Sequence, residues 1–72
     1  MVYISNVKEN YRKALEYSKK GLELMEEKQI DNDLQKANLY GNMGNAHNKL
    51  GNYEEALHSL EKGTEIHIKI FG

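Results

Sequence analysis

Seventy-two residues with a mass of 8.3 kDa leave room for one small domain and no second core. The absence of cysteine removes disulfides and thiolate metal sites, and ten basic against 11 acidic residues leave a formal charge of −1, too balanced to attract nucleic acid or an anionic lipid surface. The longest uninterrupted apolar run, residues 1–4, falls far short of a signal core or of the roughly 20 residues a membrane span needs. With no cysteine and no targeting segment, a cytoplasmic location is expected.

The composition favours helices. There is no proline, Ala, Leu, Glu and Lys are abundant, and the mean hydropathy is −0.80. Small or apolar residues recur at Ile4, Val7, Tyr11, Ala14, Ser18, Leu22 and Met25, spacings of three and four that keep one helical face continuous. A first helix is therefore predicted over residues 5–29, capped by Ser5 or Asn6 unless it runs on from Val2. Asp31, Asn32 and Asp33 then break the pattern, and Asp33 is the preferred cap of a second helix over residues 33–50. Gly51-Asn52 closes that helix through an easy left-handed conformation. A third helix is predicted over residues 53–70, with Glu54 and Glu55 where the dipole favours carboxylates. Residues 66–70 alternate like a strand, but they follow a helical pattern without a turn signal and are read as helix. The expected fold is all-α.

The chain also repeats. A shift of 42 residues lays Asn10-Tyr11 on Asn52-Tyr53, Ala14-Leu15 on Ala56-Leu57, Lys20-Gly21 on Lys62-Gly63 and Glu23 on Glu65. Seven of the 15 positions over residues 10–24 are identical, where chance gives about one. The repeat covers the first and third helices, and residues 1–8 hold only a remnant of a second-helix counterpart.

Residues 44–57, Gly-Asn-Ala-His-Asn-Lys-Leu-Gly-Asn-Tyr-Glu-Glu-Ala-Leu, resemble the core of a tetratricopeptide repeat. Tyr40 stands at that family's bulky position, Met43-Gly44 at its Leu-Gly and His47 at its first aromatic. Ala56 holds the alanine, Leu60 the second aromatic and Gly63 the late alanine. The resemblance covers residues 37–70 fully and 10–24 in part. It implies antiparallel helix-turn-helix units in an α-solenoid fragment: residues 1–30 as part of a preceding repeat, mostly its second helix, and residues 33–72 as one complete repeat. The closing proline is missing at Ile68, and the period is 42 rather than 34. Eight extra residues are about two helical turns, which is similar to the extended repeats of kinesin light chains and Pins-type adaptors. Tyr40, Met43, His47, Leu50, Ala56, Leu57 and Leu60 are expected to fill the seam between the second and third helices, with Gly44, Ala56 and Gly63 allowing close approach. A plain three-helix bundle would pack the same residues but has no need of the 42-residue echo.

No residues point to catalysis. His47, His58 and His67 are spaced by 11 and 9, not by the four residues of a helical metal pair, so no metal or cofactor is expected. The paired glutamates read as solvated faces. The serines lack a nucleophile elbow, and residues 41–45 lack the Gly-Lys-Ser/Thr of a phosphate loop. One constellation stands apart. Asn38, Asn42, Asn45 and Lys49 share one face of the second helix, with Asn48 alongside. Asparagine is a poor helix former, and its carboxamide complements a peptide bond. The family resemblance implies that this face holds the backbone of an extended peptide, with Lys49 taking a carboxylate; a merely polar solvent face would carry the same residues. The expected function is a non-catalytic protein-interaction module without nucleic-acid or membrane partners. The alternative is a self-assembling repeat fragment, natural, excised or designed, with no separate ligand. Fewer than two units and no polar capping helix also predict a homo-oligomer, with a two-fold dimer as its simplest form. Six apolar side chains left half exposed forgo roughly 4–9 kcal/mol.

Overall fold

The expected helices form, and each ends for a local reason. The computed structural model describes residues 7–72: α1 (Val7–Glu27), α2 (Asp33–Lys49) and α3 (Tyr53–Phe71), with no strand among the described residues. The expected caps Ser5 and Asn6, like Ile4, lie outside the described residues. Residues 66–70 continue α3, so their alternation does not make a strand.

Both connections use the same exit. After α1, Gln29 adopts a φ of 55°, its N–H donates to Glu26 O at 3.2 Å, and the Ile30 N–H donates to Met25 O at 2.8 Å. After α2, Gly51 takes a φ of 86°, its N–H donates to Asn48 O at 3.1 Å, and the Asn52 N–H donates to His47 O at 2.8 Å. Each pair of bonds satisfies carbonyls that the last helical turn leaves without partners. Glycine suits this conformation at residue 51; glutamine at residue 29 adopts it against its steric preference.

One expected cap moves by a residue. Asn32, not Asp33, caps α2: its Oδ1 accepts from the Gln35 N–H at 3.1 Å, while Asp33 is already helical. The Asp33 carboxylate instead lies 3.5 Å from Lys69 Nζ, joining the start of α2 to the end of α3. Lys69 is largely solvated and Asp33 half-buried, and at 3.5 Å the pair contributes little.

The helices form an antiparallel row in which α1 packs on α2, α2 packs on α3, and α1 does not reach α3. The α1–α2 contact centres on Gly21, where an added Cβ would sit 3.2 Å from Leu39 Cδ1. The α2–α3 contact is closer still. A Cβ on Gly44 would lie 2.7 Å from Leu60 Cγ and 3.3 Å from the carbonyl oxygen of Ala56. Two turns away, a Cβ on Gly63 would meet Tyr40 Cβ at 3.4 Å and Ala37 O at 3.5 Å. Small residues therefore sit where the backbones converge, as expected.

The core is thin. Met25, Ala46 and Ala56 are its buried apolar residues, and no large side chain among the described residues is completely enclosed. His47 and Ala56 lie in the α2–α3 seam as expected, and Tyr40, Met43 and Leu50 are half-buried. Leu57 does not join them. It is 60 % exposed, on a part of α3 that no other described helix covers. Leu60 covers Gly44 yet remains 46 % exposed.

Two outcomes test this packing. Gly41 has nothing within 4 Å of its added Cβ, so Gly41→Ala should gain the helix-propensity difference of about 1 kcal/mol. Gly44→Ala gains the same propensity but must displace Leu60 and press on the Ala56 carbonyl, for a net loss of about 1 kcal/mol. Thermal melts of the two variants should differ by about 10 °C. Equal melting temperatures would contradict the close approach at Gly44. For the cap, Asn32→Ala should cost about 1 kcal/mol in urea unfolding and Asp33→Ala clearly less, the reverse of what a cap at Asp33 requires.

Candidate functional site

Three sides of α2 serve three ends. Leu39, with Lys36 and Tyr40 beside it, faces α1. Ala37, Gly44 and the Tyr40 Cβ face α3. The remaining side carries Asn38, Asn42, Asn45 and Lys49, all four exposed, with Asn48 exposed at its edge. Their spacings of four, three and four hold them in a strip along about three turns, roughly 16 Å long. Because α2 is packed on both flanks, this strip is displayed from a fixed support.

The strip has no internal bonding role. The side-chain hydrogen bonds among the described residues involve Asn32 and Asn52, and none involves Asn38, Asn42, Asn45 or Lys49. Lys49 lies in the last turn, where the helix dipole favours a cation. Asn38 alone also borders a groove between α2 and α3.

The histidines are not brought together. His47 is buried at the end of α2, with its Nδ1 3.5 Å from Asn52 Nδ2, a long and weak contact in which the ring nitrogen accepts. His58 is exposed, and His67 stacks on Phe71 with ring centroids 4.6 Å apart at 46°. Among the described residues no three His, Asp or Glu side chains could share a metal ion. Residues 41–45 lie within α2, so their backbone N–H groups are committed to the helix and cradle no phosphate. Ser18 and Ser59 are buried small residues, not accessible nucleophiles. No described helix is long and apolar enough to cross a membrane.

The groove itself went unread in the sequence. It encloses about 330 Å³, with Leu34, Gly41, Leu60, Thr64 and His67 among its walls. A second, shallower hollow of about 520 Å³ continues along α3 past Leu57. The 42-residue echo is the signal that could have found both, since it pairs these α3 residues with a covered face of α1.

Comparison with known proteins adds one result. Residues 4–69 match the tetratricopeptide repeat family, nearly the whole chain and the same helices whose seam is described above. No curated protein and no solved structure gives a significant match. With its antiparallel helices, its small residues at the crossing points and a family match across residues 4–69, the chain belongs to the tetratricopeptide repeat family.

Proposed function

We propose that this chain is a non-catalytic module that holds an extended peptide along the outer face of α2, through Asn38, Asn42, Asn45 and Lys49. Repeats of this family generally act in protein–protein interaction, which sets the class of partner. The observation that carries the finer reading is the strip itself: three exposed carboxamides with no hydrogen-bond partner among the described residues, on a helix fixed from both sides. Their steps along the axis are about 4.5–6 Å, near the 6.6–6.8 Å between alternate residues of an extended chain. Each carboxamide can donate to one peptide carbonyl and accept from one peptide N–H. About five residues of peptide span the strip, and Lys49 at one end suits an acidic side chain or a terminal carboxylate.

Titration with extended acidic peptides tests this reading. Asn42→Ala and Asn45→Ala should each weaken binding about five-fold, the equivalent of about 1 kcal/mol, while leaving the fold intact. Lys49→Ala should remove most of the salt dependence. Peptides that bind a variant combining Asn38→Ala, Asn42→Ala, Asn45→Ala and Lys49→Ala as well as the parent chain would place the site elsewhere.

The uncovered apolar residues support a second reading, self-association into a two-fold dimer. Tyr17 and Leu24 stand exposed on α1, where burial in a pair would recover apolar area. Sedimentation should then show a mass above 8.3 kDa at about 100 μM, returning to the monomer value in Leu24→Glu. A constant monomer mass in the parent chain would rule the dimer out.

A further inference from the structure

Of the two helix connections, one is relaxed and the other strained. Between α2 and α3 the left-handed residue is Gly51, which adopts its φ of 86° freely. Between α1 and α2 it is Gln29, whose side chain opposes a φ of 55°. No glycine or proline, the strongest helix breakers, lies between Gly21 and Gly41. Among the described residues α1 packs on α2 alone, so its departure leaves the α2–α3 seam intact.

The covered faces of α1 and α2 are in register with a single helix. A shift of 18 residues carries Ser18, Gly21, Leu22 and Met25 of α1 onto Lys36, Leu39, Tyr40 and Met43 of α2. Ser18 and Met25 are buried and the other six half-buried. Gly21 is met by Leu39, and Leu22 and Tyr40 border one small hollow. Eighteen residues make about five complete turns, so an uninterrupted helix places all eight on one side. Gln29 and Asn32 continue that side through the connection, at steps of four, three and four between Met25 and Lys36. Ile30 stands midway between Gly21 and Leu39. Two such helices, antiparallel about an axis at Ile30, would therefore form the Gly21–Leu39 contact twice, each time between copies.

We propose that two copies of this chain exchange α1. The Lys28–Asn32 connection straightens, α1 and α2 join into one helix over residues 7–49, and each α1 packs on the α2 of the other copy. The exchanged interface is the one already formed within the chain, so the connection decides between the two forms. Straightening releases the left-handed Gln29 and extends the helical ladder through residues 28–32. It gives up the Asn32 cap on the Gln35 N–H and the two bonds that close the turn. At the axis the Gln29 and Asn32 carboxamides of the two copies share the seam and can pair, where polar side chains fix the register of helices. The exchange goes beyond the dimer built on Tyr17 and Leu24, and does not use them: both stay exposed, because α1 meets the same face of α2. Asn38, Asn42, Asn45 and Lys49 also stay uncovered, so each exchanged dimer displays that strip twice.

The chain has no cysteine, so spin labels can be placed through Lys13→Cys and Lys49→Cys, both at exposed positions. A doubly labelled trace would be refolded from urea with excess unlabelled chain at about 1 mM, so that pulsed EPR reads the distance within one chain. In the hairpin the labels lie less than about 30 Å apart, whereas 36 residues of continuous helix separate them by about 54 Å. Sedimentation should give twice 8.3 kDa together with the long distance. Gln29→Gly, which relaxes the turn, should raise the dimer dissociation constant about ten-fold or more. Gln29→Ala combined with Asn32→Ala, which removes the cap and favours helix, should lower it about as much. Leu24→Glu should change neither the mass nor the distance. A monomer mass in the parent chain at about 1 mM would overturn the exchange, as would a dissociation constant indifferent to both hinge variants. So would a dimer that keeps the short distance or that Leu24→Glu dissolves, and those two results would leave the Tyr17 and Leu24 dimer standing.

Discussion

Everything in this fold hangs on how near α2 and α3 can come at Gly44. The Ala56 carbonyl and the Leu60 side chain stand where a β-carbon would be, and Gly63 permits a matching approach to Tyr40 two turns away. Close backbones replace large buried side chains as the source of cohesion. That explains a core whose buried apolar members are two alanines and a methionine. Dispersion contacts are short-ranged, so a seam between small residues is effective only while the backbones stay at this distance. Interior glycine costs about 1 kcal/mol in helix propensity, and the packing it permits must exceed that cost.

The same economy explains the behaviour of α2. A helix with four asparagines in 11 residues has weak intrinsic stability, and its apolar residues are spread over two sides, not gathered on one. It is ordered because α1 and α3 hold it from opposite flanks. What remains is a third side that is free of packing duty and fixed in direction. Polar residues with no internal partner can stand there without disturbing the seam, which is what a recognition surface requires.

Much of this was legible in the residues. Periodicity and turn chemistry placed three helices, and apart from the start of the first, which lies outside the described residues, their ends fall within about two residues of those observed; the glycine and alanine positions marked the seam. The misplacements have physical reasons. Asp31, Asn32 and Asp33 can all cap a helix, and nothing local ranks them. Asn32 takes the cap while the Asp33 carboxylate lies beside Lys69, a residue 36 positions away. The left-handed exit at Gln29 carries no glycine or asparagine to announce it. The spacing puts Leu57 with the seam residues, yet it is exposed.

Leu57 shows what a repeat sequence encodes. Its echo, Leu15, is half-buried on α1, while Leu57 is exposed on α3. The apolar pattern therefore describes the surroundings of a unit within a stack, and each helix carries the residues for both of its neighbours whether or not both are present. In such quasi-one-dimensional architectures, stability is the sum of unit and interface contributions, so an open interface is a definite quantity of unrealised burial. On α1 that open side holds Tyr17 and Leu24, whose echoes Ser59 and Ile66 are covered or half-covered in α3. On α3 it holds Leu57, Leu60 and Thr64, whose echoes Leu15, Ser18 and Leu22 are covered or half-covered in α1. Among the described residues each outer helix thus has a neighbour on one side only.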